Sequence, residues 1–318
     1  MKKVALFIAI LIFSGCSLKD DNATPQVQTK CLLTKQIDQS SSYLQYTYNG
    51  DLVTKIESKS ATGRVFFTIL YEYSGTKITK YSLFDNQQNT NVLYDQYIYQ
   101  YQGDNLVKTT YTGYDRTTGK IVSQSTTTSE FDSNGNNIKQ TIIRTNTDIS
   151  KGTSRTYESM FTYEYNGKLV VKEIPFSKDK TTGNFVSSGF RTYKYDAMGN
   201  RIEYNFYNAD AKLYYVQTST YNAFNKLLTI KETQNGVTSL LELHEYDAKG
   251  NETLMIYFAD KDVKAEETIT SYEYDAKGNI TKQTTTRKDY YDPNLGDYTP
   301  TPFTNITTVQ TMEYSCPK

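Results

Sequence analysis

His244 is the only histidine of this 318-residue chain, so it is the first place to look for acid–base chemistry. A histidine base needs a nucleophile beside it and a group that orients its ring. His244 stands instead in "LELHEYD", at the first position of an aromatic pair that recurs along the chain. We therefore expect it to be a structural member of that pattern, and we predict no catalytic residue.

Metal and cofactor motifs are not apparent. Two of the three cysteines, Cys31 and Cys316, lie near the ends of the chain, so no metal-ligand spacing arises. The glycines are separated by strand-length segments and form neither a phosphate-binding loop nor a dinucleotide fingerprint. We predict no metal and no cofactor.

One segment departs from the rest of the chain: "KDYYDPNLGDYTPTPF", residues 288–303. Its clustered oxygen ligands suggest a calcium site, but their spacing follows no established ligand order. The alternative is a long cap on a hairpin. If the protein binds a ligand through a loop, the candidate residues are Asp289, Tyr290, Tyr291, Asp292, Asn294 and Asp297.

The first residues, "MKKVALFIAILIFSGCSLKDD", have the organisation of a secretory signal. Residues 1–15 are predicted to be the signal peptide, and Cys16 resembles the lipidated cysteine of a bacterial lipobox. An ordinary signal peptide cleaved nearby is the alternative. Residues 16–30 are expected to form the lipidated cysteine and a flexible tether, and residues 31–318 a β domain. We expect a palmitate-bearing outer-membrane lipoprotein that faces either the cell surface or the periplasm.

Composition limits which fold classes and which partners fit the chain. Lys plus Arg and Asp plus Glu number 35 each, so no net field attracts nucleic acid, and we predict none as a partner. Thirty tyrosines without a tryptophan favour an all-β chain, because tyrosine and threonine suit strands.

A turn phrase recurs along the chain, as "DSNGN" at 132–136, "DAMGN" at 196–200 and "DAKGN" at 247–251 and 275–279. The Asp275 carboxylate is predicted to accept backbone N–H groups, and Gly278 to supply a positive φ. "YNGKL" at Tyr165 predicts a two-residue type I′ hairpin. Because a second turn signal lies between successive phrases, we predict an up-and-down antiparallel meander of about twenty strands in ten hairpin repeats. Because each strand has an intrinsic right-handed twist, we expect a sheet this wide to be strongly twisted and coiled.

Tyr-x-Tyr precedes most of these turns, as at Tyr46 and Tyr48 or Tyr272 and Tyr274. Spacing of two places both rings on one face of a strand, opposite a polar face. A ladder present in every repeat favours a core, and a sugar-stacking platform is the alternative.

"YDAKGN" and "YDAMGN" resemble the YD repeat of the Rhs family, and the resemblance extends roughly from Leu32 to Tyr314. In Rhs toxins such repeats form a long antiparallel sheet that spirals into a shell around a toxin. The resemblance therefore implies an antiparallel sheet. The chain is several-fold shorter than such shells and looks closer to the small YD-repeat lipoproteins.

Cys31 and Cys316 would lie at the same rim of a sheet with an even number of strands. An open, flat sheet of twenty strands would separate them by roughly 90 Å, whereas a disulfide needs Cα atoms within about 7 Å. A bond between them therefore requires the two sheet edges to meet. Free thiols, or thiols paired with another chain, are the alternatives. A transmembrane barrel is not expected, because "ITKQTTTRK" at 280–288 offers lipid no apolar face.

Two functions fit these features. The first is a surface-anchored, non-catalytic binding or scaffold module whose ligand is a glycan, an envelope component or a protein. The second is a polysaccharide-acting enzyme with its site among the surface carboxylates.

Overall fold

The computed structural model describes residues 31–86, 91–259, 263–292 and 296–316. The predicted signal peptide, Cys16 and the tether lie outside these residues, as does Asn294. Every regular element within the described ranges is a β-strand. No helix there is long and apolar enough to cross a membrane.

The strands follow one another in chain order. They are β1 (Leu32–Asp38), β2 (Tyr43–Asn49), β3 (Leu52–Lys59), β4 (Val65–Ser74), β5 (Lys77–Asp85), β6 (Val92–Gln102), β7 (Asn105–Tyr114), β8 (Ile121–Phe131), β9 (Asn137–Asp148), β10 (Thr153–Asn166), β11 (Leu169–Lys178), β12 (Phe185–Ser187), β13 (Gly189–Tyr195), β14 (Arg201–Asn208), β15 (Leu213–Tyr221), β16 (Leu227–Gln234), β17 (Val237–Tyr246), β18 (Glu252–Phe258), β19 (Lys264–Tyr274), β20 (Ile280–Asp289), β21 (Tyr291–Asp292), β22 (Asp297–Tyr298) and β23 (Thr304–Ser315).

The sheet closes on itself, so the expected open, coiled meander is wrong. Successive strands of the sheet pair in antiparallel fashion, with β20 pairing with β23 past the separate β21–β22 hairpin. β1 also pairs with β23, from Leu32 opposite Ser315 to Asp38 opposite Gln310. Of the 21 strands in the sheet, β12 and β13 both pair with β11, which leaves a barrel with 20 strand positions. Closure is favoured because coiling alone would leave two unpaired edges.

The seam between β23 and β1 has the geometry of an ordinary repeat hairpin. Tyr314 lies opposite Leu33 and Ser315 opposite Leu32, as Tyr48 lies opposite Val53 beside the next turn. Where that turn would stand, Cys31 and Cys316 form a disulfide with their Cα atoms 4.2 Å apart. The disulfide thus takes the place of a two-residue turn between the two ends of the chain.

The predicted chemistry of the recurring turn is confirmed. In the copy at 275–279, the Asp275 N–H donates to the Asn279 carbonyl at 2.9 Å, and Gly278 has φ of 84°. One Asp275 oxygen accepts the backbone N–H groups of Lys277 and Asn279, each at 2.9 Å, and the other accepts the Asn279 side-chain amide at 2.8 Å. The bond from the Asn279 side chain is the main cause that lowers the pKa of Asp275.

The prediction of a type I′ turn at Asn166-Gly167 is wrong. Asn166 belongs to β10 and pairs with Leu169, so the two central residues are Gly167 and Lys168. Only Gly167 has a positive φ, 62°, whereas a type I′ turn needs positive φ at both central residues. Asn235 and Gly236, with φ of 52° and 78°, do form such a pair between β16 and β17.

A β-bulge directly follows the recurring Asp-to-Asn turns and the turns after Asn49 and Asn166, and tyrosine hydroxyls support several of these bulges. In the hairpin of β2 and β3, Tyr48 lies opposite Val53 and Thr47 opposite Lys55, so Thr54 is the extra residue. Tyr73, one repeat later, donates its hydroxyl to the Val53 carbonyl at 2.7 Å. The same bond joins Tyr48 to Leu33, Tyr165 to Asn137, Tyr195 to Val170, Tyr221 to Arg201 and Tyr272 to Glu252.

Replacing Tyr73 by Phe should show how much this hydrogen bond contributes to the free energy of unfolding. The variant keeps the ring but leaves the Val53 carbonyl without its donor, so we expect the free energy of unfolding to fall by about 1 kcal/mol. Urea unfolding followed by circular dichroism measures the change. Tyr101→Phe is the matched control, since Tyr101 has the same place in its hairpin, opposite Leu106, and its contact with Lys77 at 5.5 Å is made by the ring, which Phe keeps. Equal losses in the two variants would contradict this role for the hydroxyl.

Removing the disulfide should destabilise the barrel without changing its fold. The bond closes a loop over a sequence separation of 285 residues. The Cys31→Ser/Cys316→Ser variant should therefore lose up to about 5 kcal/mol of unfolding free energy in the chain-entropy model. Urea unfolding tests the magnitude, and mass spectrometry of non-reduced peptides tests the bond itself. Recovery of both cysteines as alkylated free thiols would contradict it.

Candidate functional site

Tyrosines form continuous rows on one face of the sheet. Tyr71, Tyr81, Tyr97 and Tyr111 lie opposite one another on β4 to β7. Their successive ring centroids are 5.6, 5.6 and 4.8 Å apart. The prediction that the paired tyrosines share one face is confirmed.

Along the half of each strand that lies next to the recurring turns, the face that carries the tyrosines is the inner face of the barrel. On β4, Tyr71 and Tyr73 are half-buried, while Glu72 between them is exposed. In a single-layer barrel only curvature crowds side chains together, so the less exposed face is the concave one. The opposite face carries cross-strand ion pairs such as Lys80 with Glu72 at 2.9 Å and Lys172 with Glu164 at 2.9 Å.

The inner face is not a sealed core. Within the described residues, the buried apolar side chains are those of Ile69, Ile256 and Tyr290. Barrels of about 16 to 18 strands already enclose a water-filled channel, and this one has 20 positions. The tyrosines are therefore covered by their neighbours along the rows and stay accessible from the lumen.

The inner face contains a compact group of charged and aromatic side chains, which we call the arginine–tyrosine cluster. Register explains its assembly, because Glu173 lies opposite Arg191 and Tyr193 opposite Tyr204. These residues come from β11, β13, β14 and β15 and line an open, shallow depression of about 340 Å³. The cluster comprises Glu173, Arg191, Tyr193, Arg201, Tyr204, Tyr215 and Gln217.

Within the cluster, opposite charges and hydroxyl groups are paired. Arg191 forms an ion pair with Glu173, which also accepts the Tyr193 hydroxyl at 3.3 Å. The Tyr204 and Tyr215 hydroxyl oxygens are 3.1 Å apart. Burial is the main cause that raises the pKa of Tyr193 and of Tyr215, so both phenols stay neutral over the physiological range.

Arg201 provides a cation above this group. Its guanidinium lies 5.7 Å from the ring centroids of both Tyr193 and Tyr204. Neutral phenols offer ring faces for stacking and hydroxyls for hydrogen bonds, while a guanidinium binds acceptor oxygens. A polar ring compound such as a sugar is the kind of ligand that these groups can hold.

Sequence reasoning missed this cluster. The available signal was a pair of opposite charges at positions with tyrosine-face parity, Glu173 in "VKEIP" and Arg191 in "GFRTY". Their spacing of 18 residues becomes a contact only when β11 and β13 pair, and that pairing is interrupted by β12.

In the candidate loop, the residues that the structure describes contact one another and the backbone around them. Tyr290 is buried, and its N–H donates to the Ala265 carbonyl at 3.0 Å. Tyr291 and Tyr298 pack edge to face at 5.3 Å on the small β21–β22 hairpin. The Asp289 carboxylate accepts the Tyr291 N–H at 3.0 Å. Asp297 likewise accepts the Tyr298 N–H at 2.7 Å, so both carboxylates contact the loop backbone.

The loop contributes no residue to the arginine–tyrosine cluster. Asp292 is part of β21, and its carbonyl accepts the Gly296 N–H at 2.8 Å. No group of three or more histidine, cysteine or acidic residues that could hold a metal ion occurs among the described residues.

His244 is buried on the inner face, at a ladder position as predicted, opposite Met255. Its Nδ1 lies 2.7 Å from Glu252 Oε1 and its Nε2 3.2 Å from Glu242 Oε2. Both ring nitrogens are therefore engaged by carboxylates, which leaves neither of them open to a substrate.

Comparisons with known proteins give only distant likenesses. No protein-family model and no curated protein matches the sequence. A porin-like protein from Bacteroides uniformis is 14% identical, with 89% of this chain and 98% of that chain covered and a TM-score of 0.35. A porin-like protein from Bacteroides vulgatus is 10% identical, with the same coverage of 89% and 98% and a TM-score of 0.30.

The TcdB2-TccC3-TEV structure is 13% identical over 80% of this chain, which spans 20% of that chain, with a TM-score of 0.18. Identities this low say nothing about function, and TM-scores below 0.5 do not establish a shared fold. The structure itself defines the class as an all-β, repeat-like fold closed into a barrel.

The buried tyrosines predict an alkaline limit to stability. Burial is the main cause that raises the pKa of Tyr46 and of Tyr163 to about 12, against about 10 in an unfolded chain. A raised pKa contributes stability that is complete below pH 10 and is lost as the pH rises through 12. Urea midpoints measured from pH 8 upward should fall in that window, about pH 10 to 12. Tyr46→Phe should reduce the fall, and a midpoint that stays constant would contradict it.

Proposed function

We propose that the protein is a lipid-anchored, non-catalytic binding or scaffold module built from YD-type repeats, with a glycan or another envelope component as its ligand. The arginine–tyrosine cluster is the observation that carries this proposal. It combines accessible ring faces, neutral hydroxyls and a cation along an open, shallow depression of about 340 Å³. These are the groups that orient a polar ring compound.

Repeated turn geometry supports the YD-type assignment. In the copies at 132–136, 196–200 and 247–251, as at 275–279, the first aspartate accepts the N–H groups of the third and fifth residues. The fifth residue, an asparagine, returns its side-chain amide to the same carboxylate in each copy. One local set of hydrogen bonds therefore explains why the same residue types recur in each copy of the turn.

The anchor is proposed from the lipobox-like sequence around Cys16. Multiple acyl chains contribute roughly 0.8 kcal/mol per buried methylene, so a multiply acylated cysteine holds a protein stably at a membrane. The proposed location is the outer membrane, with the barrel at the cell surface or in the periplasm.

Binding and hydrolysis can be separated on one panel of polysaccharides. We expect the protein to be retained on at least one immobilised polysaccharide without releasing product. Tyr204→Ala should weaken retention about tenfold, because it removes a stacking face from the cluster. Tyr157→Ala is the matched control, since Tyr157 is an exposed tyrosine on the same face outside the cluster.

Two outcomes would contradict the binding module. Retention that falls equally in both tyrosine variants would remove the cluster as the site. Product that disappears on substitution of a single carboxylate would favour the polysaccharide-acting enzyme instead.

A further inference from the structure

We infer that one rim of the barrel rests on the bilayer surface, with the side chains of Met198 and Phe224 seated among the lipid headgroups. We call it the turn rim, and it carries the turns at 132–136, 196–200, 222–226, 247–251 and 275–279. This inference rests on the proposed lipid anchor at Cys16 and adds the orientation of the barrel above the membrane.

Met198 and Phe224 are the most exposed large apolar residues in the described part of the chain, at 71% and 80%. Each is the third residue of its turn, a position at which the side chain has no role in the turn's hydrogen bonds. Other copies have Asn134, Lys249 and Lys277 there. The turn therefore does not require an apolar residue at this position.

The two apolar side chains lie on neighbouring turns. Their hairpins, β13–β14 and β15–β16, are joined by the pairing of β14 with β15. The Asn200 side-chain amide also donates to Asn225 Oδ1 at 3.1 Å, which links the turns directly. Met198 and Phe224 thus lie on adjacent, directly linked turns and form one local apolar projection from the rim.

The point at which the chain enters the barrel indicates that the bilayer is what contacts the turn rim. Cys31 immediately precedes β1 at the seam, and the seam replaces a turn of the turn rim. Fourteen residues lie between Cys16 and Cys31, so the connection spans at most about 50 Å when fully extended. A lipidated Cys16 therefore tethers the barrel to the membrane by the rim from which Met198 and Phe224 project.

The opposite rim provides the comparison. It also carries exposed apolar side chains, such as Val237 at 64%, the first residue of β17 after the turn from β16. The strands separate this rim from the point where the chain enters the barrel, and in the inferred orientation it faces away from the bilayer.

The absence of tryptophan from the sequence makes a direct test available, because Phe224→Trp and Val237→Trp each introduce a single fluorescent reporter. Both variants should be made as full-length lipoproteins with labelled palmitate. They are then reconstituted into vesicles of phosphatidylcholine and phosphatidylglycerol with brominated acyl chains. An interfacial side chain enters roughly 5–10 Å, so quenching of the Phe224→Trp emission should be at least about twofold greater.

The outcomes separate this inference from the anchor. Absence of palmitate label would overturn the anchor and, with it, the orientation. Labelled protein that shows equal quenching at the two positions, or stronger quenching at 237, would overturn the orientation alone. Met198→Ser in the Phe224→Trp background should reduce the quenching, and circular dichroism checks that each variant keeps its strands.

Discussion

Pairing between β1 and β23 is the interaction on which the rest of this structure depends. The seam converts a row of hairpins into a barrel with 20 strand positions and leaves no open edge. Its register is that of any internal repeat, and even the tyrosine bond to a bulge carbonyl is kept, from Tyr48 to Leu33. The Cys31–Cys316 disulfide then substitutes for the missing turn. Closure therefore needs no special interface, only one further copy of the repeat.

Stability in this barrel comes from repeated local units. Because few side chains are buried in the described residues, the hydrogen-bonded ladders, the bulge-supporting hydroxyls and the tyrosine rows replace a packed core. The tyrosine serves both purposes, since its ring covers a neighbour and its hydroxyl satisfies a carbonyl. This explains how a chain with 30 tyrosines and mean hydropathy of −0.64 folds into a single sheet.

Because the barrel has no packed core, its inner face is available for binding. A sealed sandwich would cover its tyrosines with a second layer, whereas the wide barrel leaves them facing a lumen. The arginine–tyrosine cluster interrupts the rows with an ion pair between Glu173 and Arg191 and a cation, Arg201, stacked over two rings. The outer face, by contrast, carries cross-strand lysine–glutamate pairs that suit contact with water.

The sequence by itself determined the all-β class, the chemistry of the Asp-to-Asn turns and the shared face of the tyrosines. These depend on residues no more than a few positions apart, such as Asp275, Gly278 and Asn279. Tertiary structure decided closure, the bulges and the cluster, because each requires strands distant in sequence to meet in a defined register. The contact between Glu173 and Arg191 depends on the pairing of β11 with β13. Cys31 and Cys316 made a meeting of the sheet edges one of several alternatives, and only the register of Leu32 opposite Ser315 decided it. The type I′ assignment failed for the same reason, since the register, not the Asn-Gly letters, chooses the central residues.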